Sequence, residues 1–312
     1  MYDLVIRNGT IYDGKGGKPY LADLAILGKK IAKIGDIEES GSKEIDAQGK
    51  IITPGFVDIH THYDGQVTWD PYLRPSTYHG VTTVVMGNCG VGFSPCKPEK
   101  RDWLIGLMEG VEDIPGTALH EGINWEWETF PEYLDYLSKR EFSMDIGTQV
   151  PHSAVRNYVM GERALVHEDA TSDDLDSMSN IVKEAISAGA LGFSTSRTAG
   201  HRSVQGDPIP GTYAESEELL SIARAMIKKS PIILLDEATS SLDSATERLV
   251  QTAINKMQQG RTTIIIAHRL STIQNADRII VLKEGEIIEQ GSHKELINAS
   301  GEYAKLNQQQ FQ

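Results

Sequence analysis

The feature that most constrains this fold is a recurring pattern of short apolar runs that turn polar at their C-terminal ends. IITPGFVDIHTH (51–62), GVTTVVMGNCG (80–90) and ALGFSTSR (190–197) all follow it. Apolar runs of that length read as strands buried on both faces, the usual condition of a parallel sheet. Helical patterns stand between them, PEYLDYLSKR and TSDDLDSMSNIVKEAISAGA, the second opened by Thr171 and Asp174 in capping-box spacing. Strands alternating with helices predict a parallel α/β architecture, either barrel or open sheet.

Ahead of this pattern, residues 2–53 read as short β-strands with turns. YDLVIRNGTIYDG and ADLAILGKKIAKIG carry Asn-Gly and Gly-Lys as hairpin signals. From residue 221 the rhythm changes. PIILLDEA and TTIIIAHR are short strands separated by a helical SATERLVQTAINKMQQG. ADRIIVLKEGEIIEQG then reads as a hairpin, and GSHKELI starts a helix capped by Ser292 and Glu295. Charge changes at the same point, from a net −15 over residues 1–220 to +1 over 221–312, and all four tryptophans lie before it. The expected organisation is a β-domain portion at 1–54, an α/β part at 55–220 and a separate α/β part at 221–312.

Composition excludes several classes. A net charge of −14 argues against nucleic acid as a partner. No apolar run is long enough to span a membrane, and MYDLVIRNGT lacks the basic start and apolar core of a secretory leader. Two cysteines, Cys89 and Cys96, make no disulfide framework, so a reducing cytoplasm is the expected location.

Two constellations carry chemistry. In the first, His60 and His62 stand one residue apart at a strand end, so period-two alternation puts both imidazoles on one face with Asp58. Cys89 ends the next apolar strand, and in a β/α barrel such ends line one common site. Two imidazoles and a thiolate are ligands that zinc prefers. PGFVDIHTHYDGQ, with LVIRNGTIYDG before it and GVTTVVMGNCGVGFSPC after it, resembles the amidohydrolase superfamily, most closely its N-acyl-D-amino-acid deacylase (D-aminoacylase) branch. The resemblance covers residues 1 to about 220. It implies a small β-domain beside a (β/α)8 barrel, zinc held by His60, His62 and Cys89, and hydrolysis of a small N-acyl amino acid or related amide. It also implies later metal-binding histidines, one in a Thr-His-Met-Arg motif, and a general-base aspartate; none of these occurs here. His201 is considered as a substitute ligand against an ordinary loop histidine, and His152 as a pocket residue against a structural one. His79, His120 and His167 have no supporting pattern.

The second constellation is the ordered series IARAM, ILLDEATSSLD, TIIIAHRLSTI and ADRIIVLKEGEIIEQGSHKEL. It resembles the C-terminal part of an exporter-type ABC transporter nucleotide-binding domain, a P-loop-NTPase-like α/β fold. That resemblance implies ATP and Mg²⁺, with Asp236 supporting the metal, Glu237 polarising water, Ser241 and Asp243 in the D-loop and His268 sensing the γ-phosphate, and it allows ABC transporter subunits as partners. A phosphate cradle needs G-x-x-x-x-G-K-[ST] between strand and helix. Gly9 to Lys15 comes near it, but Gly16 replaces the hydroxyl and Pro19 follows, so a hairpin turn is expected there. The Leu-Ser-Gly-Gly-Gln signature is absent as well.

The two texts meet at SIARAM (221–226), a string that suits both families. A partial barrel joined to a partial ATPase would leave sheet edges unpaired and both sites short of groups. Three readings follow: a zinc amide hydrolase of D-aminoacylase type fused to an ABC ATPase remnant and impaired in both activities, an ABC ATP-binding fragment, or a non-catalytic fusion.

Overall fold

A computed structural model describes residues 1–226, 232–236, 262–266, 270 and 273–310. The N-terminal strands are β1 (Tyr2–Ile11), β2 (Tyr20–Leu27), β3 (Lys30–Gly35), β4 (Gly41–Asp46) and β5 (Ile51–Ile52). They form a mixed sheet ordered β3-β2-β1-β4, with β5 also paired to β1. Its small core is Val5, Ala25 and Ile37. The Gly28-Lys29 signal makes the expected turn, since Leu27 pairs with Lys30. The Asn8-Gly9 signal does not. It lies inside β1 as a bulge against β2, with Asn8 at φ 59°, and Gly9 packs so closely on Ile52 that a Cβ there would meet Cδ1 at 2.2 Å. The Gly9–Lys15 stretch leads through a turn into β2, with Ile11 paired to Tyr20, as a hairpin connection rather than a phosphate cradle.

A second sheet is parallel and ordered β6-β7-β8-β9: β6 (Phe56–Asp58), β7 (Val81–Met86), β8 (Asp145–Pro151) and β9 (Gly192–Ser194). This is a half-barrel. Its helices are α1 (Arg101–Glu112), α2 (Gly116–Gly122), α3 (Phe130–Ser138), α4 (His152–Met160), α5 (Glu162–Leu165), α6 (Ser172–Ala188) and α7 (Ser216–Met226). Among the described residues β6 and β9 are its edges, and Phe56, Val57 and Ile59 on or just past β6 are exposed, as expected where barrel closure is missing. Contacts group the chain into two units. One is Met1–Tyr63, Asp70–Met86 and Glu141–Gly147; the other is Asp64–Trp69, Gly87–Arg140 and Thr148–Gln312.

The second unit holds the larger core. Helix α6 forms because Thr171 caps it reciprocally with Asp174, and its apolar residues recur every three or four positions. That spacing buries Met178, Val182 and Ala185 against Phe130, Val150, Val155 and Ile222. Each large side chain so buried contributes roughly 1.5–3 kcal/mol. Ile222 lies on α7 beyond residue 220, and Ser221 bonds Ser179 of α6 at 2.9 Å, so the start of SIARAM packs with the α/β core.

Further along, β10 (Ile232–Asp236) and β11 (Thr262–Ile266) pair in parallel. β12 (Ile279–Lys283) and β13 (Glu286–Gly291) form the expected hairpin through Glu284-Gly285, both at positive φ. Ser292 and Glu295 make the expected capping box on the helix His293–Asn298. A small cluster of Ile279, Val281, Leu296 and Tyr303 packs this end. No helix among the described residues is long and apolar enough to cross a membrane.

Candidate metal centre

β6 stops at Asp58, earlier than alternation through His62 suggests. The ladder nevertheless continues locally, because Thr61 donates to Val85 O through both its N–H (3.0 Å) and Oγ1 (2.8 Å). Thr61 is thereby buried and its neighbours His60 and His62 face the other way, with ring centroids 5.5 Å apart. Asp58 folds back to accept the His60 N–H at 3.2 Å.

β7 delivers the third group. It ends at Met86, and the loop Gly87–Gly90 follows. In that loop Cys89 takes φ 54°, a left-handed conformation uncommon for a residue with a side chain. The ligand atoms of His60, His62 and Cys89 all lie within 4.8 Å of one another. His60 is exposed; His62 and Cys89 are partly buried.

Two acids that sequence reasoning missed act electrostatically on this region. Asp64 is buried, and desolvation pushes its carboxyl up to about 7, although the Gly87 N–H bonded to it pulls the other way. Among the described residues its Oδ2 has no hydrogen-bond partner. Glu112, the last residue of α1, is also pushed up by burial. Burial first, then the charges of Glu112 and Asp64, push the Cys89 thiol up to about 11. Asp64 follows the histidines in HTHYDG, so nearness in sequence was an available signal; nothing in the sequence marked Glu112.

The remaining histidines sort themselves by surroundings. His152 opens α4, fully buried, with Nε2 2.6 Å from Glu218 Oε1 and Nδ1 2.8 Å from Thr195 Oγ1. With a proton on Nε2 the ring donates to the carboxylate, while Nδ1 and the hydroxyl share the second hydrogen bond. Glu218 Oε2 also accepts from Arg156 Nη1 at 2.7 Å, so His152 belongs to a buried structural knot. His201 sits in the loop after β9 and is not part of the trio. His79 ends a short 3-10 turn, His120 stands 3.7 Å from Asp102, and His167 packs its ring on Tyr213. Cys96 is buried elsewhere, its thiol pushed up to about 12 by desolvation.

Of the nucleotide-type residues, Asp236 ends β10, its backbone paired with Ile266 of β11. Glu237, Ser241, Asp243 and His268 lie outside the described residues.

With this geometry in view, comparison with known proteins is decisive on family. Residues 43–231, more than half of the chain, match the amidohydrolase family. The chain belongs to the amidohydrolase family. An uncharacterized protein of Mycobacterium tuberculosis is 34% identical over 238 residues, 72% of this amidohydrolase chain and 38% of its own. A D-aminoacylase of Alcaligenes xylosoxydans xylosoxydans is 30% identical over 226 residues, 72% of the chain and 42% of the enzyme. A lipid A-core flippase of Syntrophus aciditrophicus, which is ATP-dependent, is 48% identical over 131 residues, 42% of the chain and 22% of the flippase. The chain thus spans less than half the length of these relatives. Among solved structures, a D-aminoacylase crystal structure superposes with TM-score 0.64 at 26% identity, covering 86% of this chain and 52% of its own. The N-acyl-D-glutamate deacylase of Bordetella bronchiseptica, complexed with zinc and a phosphonate inhibitor, gives 0.60 at 22% identity over 99% of this chain and 70% of its own, a likeness of fold.

Proposed function

We propose that His60, His62 and Cys89 hold a divalent metal, zinc by donor type, in an amide-hydrolase site of the D-aminoacylase kind. The convergence of their three ligand atoms within 4.8 Å carries this reading. The donor set fits: imidazole nitrogens and a thiolate are ligands that zinc prefers. The surroundings fit as well. Burial first, and then the charges of Glu112 and Asp64, oppose thiolate formation at Cys89, and a cation held by the trio would favour it. The buried Oδ2 of Asp64, unpartnered among the described residues, belongs to the same electrostatic picture.

When bound, zinc polarises an amide carbonyl and makes water acidic enough to attack it near neutral pH. The chain's own residues do the rest. The Thr61 bonds to Val85 hold the histidines on the open side of the strand end. The substrate class suggested by the D-aminoacylase likeness is a small N-acyl amino acid. Because the Thr-His-Met-Arg motif and the last-strand aspartate of that family do not occur in the sequence, we infer metal binding with little turnover.

The test is metal content of the purified chain after chelation and reloading with zinc, alongside hydrolysis of N-acetyl-D-amino acids. About one zinc per chain is expected, lost in His60→Ala, His62→Ala and Cys89→Ala. Stoichiometric zinc that survives all three substitutions, or no zinc at all, overturns the reading. Robust hydrolysis abolished by Cys89→Ala would show that the site works without the missing groups.

A second reading rests on the flippase likeness: MgATP held through Asp236, with Glu237, Ser241, Asp243 and His268 around the γ-phosphate and transporter subunits as partners. Nucleotide binding lost in Asp236→Ala supports it, and no binding at millimolar MgATP removes it.

A further inference from the structure

Cys89 is the one member of the trio carried by a loop in a strained backbone conformation, and that strain needs a cause. Three of the four residues Gly87-Asn88-Cys89-Gly90 have positive φ: 78°, 54° and 72° for Gly87, Cys89 and Gly90. The glycines are there for space. A Cβ on Gly87 would lie 2.2 Å from Gln149 O, and one on Gly90 would lie 3.1 Å from Ser196 N and Thr195 Cα. Cys89 has no such excuse, since a residue with a side chain persists at φ 54° only where its surroundings over-determine the backbone.

One hydroxyl bonds both ends of the loop. Ser194, the last residue of β9, accepts the Gly90 N–H at Oγ (3.0 Å) and donates the same hydroxyl to Gly87 O. A hydroxyl has one hydrogen and two lone pairs, so both bonds form at once. Ser194 therefore staples the two ends of the loop across Cys89. Two further contacts fix what lies between and after. Gln149 Nε2 of β8 donates to Asn88 Oδ1 at 2.7 Å, and the Ser153 N–H at the start of α4 donates to Gly90 O at 2.9 Å. Remove the staple, and Cys89 is free to relax to negative φ, which swings its Cα–Cβ bond and carries Sγ away from the imidazoles.

We propose that Ser194, seconded by Gln149, is a positioning residue that holds the Cys89 thiol in ligating geometry. This rests on the metal-centre reading above and goes beyond it by naming the residues that build the site's thiol arm. Both act through the loop backbone or its Asn88 side chain.

The experiment uses Co²⁺ as the probe on the full chain, reading the near-ultraviolet thiolate-to-cobalt charge-transfer band and affinity by competition with a chelating dye. Wild type is expected to show the band and Cys89→Ala to lack it. If wild type lacks it, the metal-centre reading fails and takes this inference with it. Given the wild-type band, Ser194→Ala is expected to bind Co²⁺ about 10–100-fold more weakly with a diminished band, the usual cost of losing a residue that orients a ligand. Ser194→Thr, which keeps the hydroxyl, is expected to recover affinity. A folded Ser194→Ala with wild-type affinity and band overturns the proposal while leaving the metal centre standing. Should Ser194→Ala fail to fold, Gln149→Met decides the matter: it removes only the Asn88 brace, and wild-type affinity there overturns the proposal equally.

Discussion

Two helices in this chain begin with the same device and end in different circumstances. α6 is opened by Thr171 and Asp174 bonding reciprocally, and the helix His293–Asn298 by Ser292 and Glu295 doing the same. Locally the two are equivalent. Beyond the first turn they part: α6 buries Met178, Val182 and Ala185 in a cluster shared with β8, α3, α4 and α7, whereas the later helix buries only Leu296. The strands beside that later helix leave Ile280, Leu282, Ile287 and Ile288 exposed. Local signals therefore work wherever they occur, but a core needs partners distant in sequence, and the α/β part through Met226 has far more of them than the described C-terminal residues do. This separates what a capping box guarantees, a helix start, from what only a complete layer supplies.

The sharpest test of that difference lies in the buried knot. Glu218 is 1% exposed, Arg156 2% and His152 0%, and the pairs close at 2.6–2.7 Å. Glu218→Ala leaves the Arg156 guanidinium buried without its carboxylate, which costs about 3–5 kcal/mol when one partner of such a pair is removed. The expected result in urea unfolding is a loss of that size, and a loss below about 1 kcal/mol would show that the knot contributes no more than a surface pair. Core truncation comes next. Ile222→Ala and Met178→Ala are each expected to cost about 2–5 kcal/mol, with Leu296→Ala at the lower end because its small cluster has fewer walls to hold a cavity open. Hydrogen exchange adds the local view: α7 amides through Ile222 should open with the α/β core, and the β12–β13 hairpin should open at lower cost. If Ile222→Ala is silent, α7 is not part of that core and the contrast between the two helices loses its main support.

How much of this was legible in the sequence depends on how far apart the cooperating residues lie. The His60–His62 spacing, Cys89 three residues past a strand, the capping boxes at Thr171 and Ser292 and the Glu284-Gly285 hairpin are local, and reading along the chain found them, though not the third box, Thr129 with Glu132 on α3. The Asn8-Gly9 pair misled because a bulge and a hairpin turn ask for the same positive φ; what the string does not show is Ile52 packed against Gly9, more than forty residues away. Helices α1, α2 and α4 passed unread, their starts carrying no side-chain caps. Glu218 looks in ESEELLS like an exposed first-turn acid, and nothing in that string shows that His152 and Arg156 wait for it across more than sixty residues. Ser194 was visible only as the polar end of a strand. Its stapling of Gly87 and Gly90 exists only once β8 and β9 are in register, Pro151 opposite Ser194.

The smaller tests bear on the half of the comparison in which the two helices are alike. Thr171→Ala and Ser292→Ala each remove an N-cap, and each is expected to cost about 1 kcal/mol of local helix stability. A large inequality would mean that the caps feel their tertiary setting after all. Titration separates them by a different route. The hydrogen bond from Arg163, with the Thr171 bonds adding to it, pulls the Asp174 carboxyl from 3.8 down to about 2. A depressed folded value means that stability is fully present above the unfolded value and fades as pH falls through the folded one. The difference between wild type and Asp174→Asn should therefore hold steady above pH 4, shrink between about 4 and 2, and vanish below that range. Constant stabilisation down to pH 2 would break the assignment to Asp174. Last and smallest is Arg224→Ala on the exposed side of α7, where Arg224 and Glu217 pair at 2.7 Å with more than half of each side chain in water. Solvent and salt screen such a pair, so a change within about 0.5 kcal/mol is expected. That near-silence, set against the loss at Glu218 one residue along the same helix, would show that on α7 burial rather than charge decides what an ion pair contributes.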